Sequence, residues 1–126
     1  MSTALLADLP GRPCPIAAAL EVVGERWALL VVREIMLGST RFGDIVRGTG
    51  APRDRIAARL KSLEAAGVVA RVPRTPRRDE YALTDSGRAL TPLLGALLTW
   101  GIDHAVADDD PDRTRHNRLT LSKETP

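Results

Sequence analysis

Ile56, Leu60 and Leu63 recur at i, i+4 and i+7 in a stretch bounded by Pro52 and Gly67, and no other feature limits the fold of this 126-residue chain so narrowly. The spacing places three branched apolar side chains on one helical face. Pro52 suits a first helical position, where a missing N–H costs nothing, and Gly67 suits a left-handed cap just past the last periodic residue. The other faces carry Arg53, Asp54, Arg55, Arg59 and Lys61. A helix docked by one stripe and basic elsewhere is either a solvated surface helix or a reader of a polyanionic groove. The spacing alone does not separate the two.

The flanks narrow the choice. Arg41 to Arg47 reads as a short helix with Phe42, Ile45 and Val46 on one edge, and Ser39 or Thr40 is placed to cap it. Gly48-Thr49-Gly50 predicts a tight turn, so helix, turn and basic helix form a helix-turn-helix. After Gly67 the period changes: Val68, Val69 and Val72 suit a strand, and Glu80 to Leu83 a returning one. Pro73 and Pro76 predict an irregular loop between them, carrying Arg74, Arg77 and Arg78. A hairpin following a helix-turn-helix is a wing.

Pro15 opens an earlier helix with Ile16, Leu20 and Val23 on one face, broken at Gly24. Trp27 to Leu37 is apolar nearly all round, which predicts a buried central helix with Trp27 in the core. Thr84 is placed to cap a last long helix, with Leu90, Leu94, Leu97 and Gly101 in one stripe and Leu93, Leu98, Trp100 and Ile102 beside it. Pro92 lies inside that run and predicts a kink. The apolar band is wider than one small core needs, so part of it is expected to face a partner chain. The expected organisation is an arm over residues 1–13, a winged helix-turn-helix domain over 14–106 and a flexible polar tail over 107–126. The fold class is mainly α with a small β-hairpin wing (α+β).

Charge sharpens the functional reading. Residues 41–78 hold ten basic side chains against three acidic ones, a net +7 in a chain of net +2, which leaves −5 for the remainder. That asymmetry points to a polyanionic partner. Enzyme chemistry finds no support: there is no glycine-rich phosphate loop and no nucleophile with a base nearby in sequence. His104 and His116 lack a second ligand at metal spacing, so neither a metal nor a cofactor is expected. No apolar run approaches the roughly 18 residues of a membrane helix. No basic leader is visible at the N-terminus, and a single cysteine, Cys14, fits a reducing compartment, so a cytoplasmic location is expected.

Cys14-Pro15-Ile16, Gly24-Glu25-Arg26-Trp27, Leu37-Gly38 with Arg41-Phe42, Arg59-Leu60, Leu63-Glu64, Gly67-Val68 and Glu80-Tyr81-Ala82-Leu83-Thr84 with Gly87 together resemble the HxlR-type winged helix-turn-helix regulators, over about residues 12–104. Ala51-Pro52 and Asp79 depart from the residues usual there. The resemblance implies a dimeric bacterial transcription factor, with repression the expected output. Its first and last helices would build the dimer, and its helix-turn-helix and wing would bind a near-palindromic site on double-stranded DNA. It assigns Pro52, Arg53, Asp54 and Arg55 to the major groove, where Arg reads guanine and Asp either accepts from cytosine or orients an arginine. Thr40 and Arg41 are candidate phosphate ligands, as are Arg74, Arg77 and Arg78 in the wing. Arg59 is either a phosphate contact or an intramolecular brace. Ile16, Leu20, Leu94, Leu97, Leu98, Trp100 and Gly101 are the candidate dimer contacts. Some members sense oxidants through a thiol matching Cys14, so two readings stand for it, redox sensor and packed core thiol, with a small-molecule or electrophile effector left open as a partner. The other functional class is a winged-helix module that binds protein instead of DNA. A proline-arginine loop without exposed apolar residues speaks for DNA.

Overall fold

A computed structural model gives the fold and describes residues 5–76 and 78–115. A short 3-10 turn, Leu6–Asp8, precedes four helices: α1 (Pro15–Val23), α2 (Ala28–Met36), α3 (Phe42–Thr49) and α4 (Arg53–Ala65). An antiparallel hairpin follows, β1 (Val69–Thr75) with β2 (Arg78–Leu83), then α5 (Asp85–Arg88) and α6 (Thr91–His104). The chain divides into two compact units between Gly87 and Arg88. Mostly helical with one two-stranded wing, this is the winged helix-turn-helix architecture expected.

In the first unit α2 runs through the centre, touching α3, α4 and β2. Val31, Val32, Ile45, Ile56, Leu63 and Val69 are its largest fully enclosed side chains, contributed by α2, α3, α4 and β1. Each contributes about 1.5–3 kcal/mol of apolar burial. Ile56, Leu60 and Leu63 form the docking stripe of α4, at most 2% exposed. Burial of α2 is less complete than its composition suggests, since Leu29, Leu30 and Leu37 keep partial exposure. Trp27 is likewise half-buried, with the Arg26 guanidinium 4.6 Å from its ring centroid.

α4 ends in a paired hydrogen-bond motif. Gly67 takes φ +78°, so that its N–H reaches Glu64 O at 3.1 Å and the Val68 N–H reaches Leu63 O at 2.9 Å. This Schellman closure turns the chain straight into β1. Thr84 closes the other end of the hairpin, its hydroxyl donating to Gly67 O at 2.5 Å and accepting from the Gly87 N–H at 3.3 Å.

Five local expectations need correction. Neither Ser39 nor Thr40 caps α3: its N-cap is Arg41, and both hydroxyls donate to carboxylates instead, Ser39 to Glu34 and Thr40 to the distant Glu80. Residues 48 and 49 belong to α3, and the turn is confined to Gly50–Pro52. Pro52 is the N-cap of α4 and not its first helical residue. Strand β1 continues through Pro73 to Thr75, Pro73 pairing with Asp79 and a register shift following it. A two-stranded ribbon leaves each strand one free edge, where a proline forfeits no ladder bond. Finally, the last long helix is two helices. Thr84 caps only the four-residue α5, and Pro92 stands in the first turn of α6, where its ring starts a helix instead of kinking one.

Candidate nucleic-acid interface

The first turn of α4 projects Arg53, Asp54 and Arg55, all exposed. The first N–H groups of a helix have no intrahelical partner, so this end adds backbone donors to the two guanidinium groups. Arg53 lies with its guanidinium carbon 4.8 Å from the Phe42 ring centroid, a cation–π contact that restrains it. Asp54 makes no ion pair among the described residues.

The turn into α3 ties this end to the wing. The Thr40 hydroxyl donates to Glu80 Oε1 at 2.9 Å, and the Tyr81 N–H donates to Thr40 O at 2.8 Å. Glu80 in turn lies 3.8 Å from Arg74 Nε. A continuous chain of contacts therefore runs from Arg53 through Phe42 and the adjoining Arg41 and Thr40 to Glu80 and Arg74. Arg41 is exposed at its middle and Arg78 at the start of β2. Arg77 lies outside the described residues.

Not every arginine of the first unit faces outward unopposed. Arg71 sits between Glu64 at 3.5 Å and Asp79 at 3.6 Å. Arg59 Nε lies 3.0 Å from Glu25 Oε2, which is the brace reading of this residue. Arg33 bonds its neighbour Glu34 and donates to Gly48 O at 2.9 Å, fastening the last turn of α3 to α2. The sequence places Glu25, Phe42 and Glu80 in motifs and elements but assigns them no partner, and it does not single out Glu34. Arg59, Arg53 and Thr40, which Glu25, Phe42 and Glu80 meet, lie far off along the chain, at separations no periodicity reports.

Of the expected dimer contacts, Ile16, Leu20, Leu97 and Trp100 are 73%, 58%, 46% and 60% exposed. Leu98 and Gly101 are half-buried. Leu94 departs from the expectation: it is 6% exposed, already buried in the protomer and unavailable to a partner. Cys14 is half-buried and caps α1, its Sγ accepting from the Ala17 N–H at 3.4 Å. No helix among the described residues is long and apolar enough to cross a membrane.

The family model for HxlR-like helix-turn-helix proteins matches residues 22–109, spanning α2 to α6. The chain belongs to that family. An HTH-type transcriptional regulator of Mycobacterium tuberculosis is 40% identical to this HxlR-like chain over 105 residues, covering 81% of the chain and 66% of the relative. The chain thus spans just under two thirds of that relative's length. Among solved structures, PA1607, a candidate transcription factor, shares 44% identity at a TM-score of 0.73, covering 77% of the HxlR-like chain and 69% of its own. The reduced form of the regulator YodB from Bacillus subtilis shares 31% at 0.61, covering 73% and 94%.

Proposed function

We propose that this HxlR-like chain is a sequence-specific DNA-binding repressor that acts as a homodimer on a near-palindromic site. The observation that carries the reading is the contact chain joining Arg53 at the head of α4 to Arg74 in the wing, with Arg41 between them. Base-reading and phosphate-binding arginines so linked enter the complex already arranged. One α4 would read each half-site, with centres about 34 Å apart or a multiple of that. Exposed Ile16, Leu20, Leu97 and Trp100 support a second copy as the partner. A dimer occupying a promoter blocks access to it, which makes repression the proposed output.

Cys14 is proposed as a capping and packing residue, its sulfur being committed to the first turn of α1. YodB has also been solved after diamide treatment, so the same reagent is the informative control.

The test is a titration of the full chain against DNA selected from a random pool, across a range of salt. Affinity should fall steeply with salt, and Arg74→Ala should weaken all sequences alike and reduce the slope. Arg53→Ala should relax preference at one base pair by about 1–3 kcal/mol. Salt-independent binding, or no selected sequence, would overturn the reading. Diamide treatment should leave the affinity unchanged; an affinity lost in wild type and kept in Cys14→Ser would restore the sensor role.

A further inference from the structure

The first unit contains a cleft of about 430 Å³ between the N-terminal arm, α1 and α4. That volume is within the range of small-molecule sites, roughly 300–1,000 Å³. Leu5, Leu9, Val22 and Ala65 give it apolar walls. Its charges are three carboxylates, Asp8, Glu21 and Glu25, against one cation, Arg59. Arg59 is matched by Glu25 at 3.0 Å, yet its Nε is shut off from solvent without an aligned hydrogen bond. Asp8 and Glu21 have no ion-pair partner among the described residues. The cleft therefore offers an apolar body site edged by two carboxylates that hold no ion pair among the described residues, against a helix whose other faces are basic.

We propose that this cleft binds a small organic cation, an ammonium group on an apolar or aromatic body, and that its occupation lowers affinity for DNA. The ammonium is held by Asp8 and Glu21, and the body by the leucines and Val22. Glu25 is the link to function: it braces the turn between α1 and α2 to α4 through Arg59, six residues along the helix from Arg53. A cation in the cleft competes with Arg59 for Glu25 and loosens that brace, so the α4 head is less firmly placed. The regulatory half rests on the DNA-binding reading; the ligand site does not.

1-Naphthylmethylamine, followed by its own fluorescence, tests the site in the full chain without DNA. It should bind about tenfold more tightly than neutral 1-naphthylmethanol, a difference of ~1.4 kcal/mol, and more tightly still than 1-naphthoate. Asp8→Asn with Glu21→Gln changes two exposed side chains that hold no ion pair among the described residues, so the fold should persist and the preference for amine over alcohol should vanish. Equal binding of amine and alcohol, a preference for naphthoate, or an undiminished preference in the double variant overturns the site. With DNA present, saturating amine should weaken binding about fivefold or more, and Glu25→Gln should abolish that response. An unchanged DNA affinity at saturation overturns the regulatory half while leaving the titrations without DNA intact.

Discussion

A β-carbon placed on Gly48 would fall 1.8 Å from Oε1 of Glu34, a carboxylate only 7% exposed and held by Arg33 and Ser39. Alanine could enter only by pushing that carboxylate off its donors. Unmade bonds to a buried carboxylate cost about 1–3 kcal/mol, whereas glycine to alanine inside a helix returns roughly 0.5–1 kcal/mol. Gly48→Ala should therefore lower stability by about 1–2 kcal/mol in urea unfolding. In a Glu34→Ala background the same change should be neutral or favourable; an equal loss in both backgrounds would refute the clash. This residue marks a limit of sequence reading. Followed by Thr49 and Gly50, Gly48 looks like one letter of a tight turn, and nothing local shows a carboxylate fourteen positions away reaching the same spot. Arg59 is a similar case, since no local pattern reports its 3.0 Å approach to Glu25.

At the level of elements, amphipathic period and glycine punctuation revealed α1, α3, α4 and the wing, because those signals are local. Proline was the residue misread. Pro73 was expected to end β1 and Pro92 to bend a helix, yet one sits within an edge strand and the other opens α6. Which role a proline takes depends on whether its neighbours need its missing N–H, and that is decided by tertiary pairing. The two readings of Pro92 separate cleanly in an experiment. If it kinked a continuous helix, Pro92→Ala would raise stability by up to about 3 kcal/mol. At the start of α6 its ring only restrains the unfolded chain, so the substitution should lower the unfolding free energy by about 0.4–1 kcal/mol.

For the molecule as a whole, the surplus of apolar side chains was legible in composition, but their distribution was not. Leu94 and Leu97 stand one helical turn apart in the same stripe, and only the latter is open to a partner. Their aspartate variants should accordingly behave differently. Leu97→Asp, at a site 46% exposed, should yield a folded monomer by sedimentation, with unchanged helical circular dichroism, where the proposed dimer predicts that wild type sediments as a dimer. Leu94→Asp buries an unpaired charge within the protomer and should unfold it. A monomeric wild type at micromolar concentration, or a dimeric Leu97→Asp, would remove these residues from the interface.

The contact between Glu34 and Gly48 also bears on how such a chain can change over generations. A lineage that enlarges residue 48 before shortening residue 34 passes through a weakened protein, whereas the reverse order opens room first. The two positions therefore favour one order of change, and a descendant carrying alanine at 48 should more often also carry a shortened residue 34. The close approach of α2 and α3 at this point favours one order of replacement over the other.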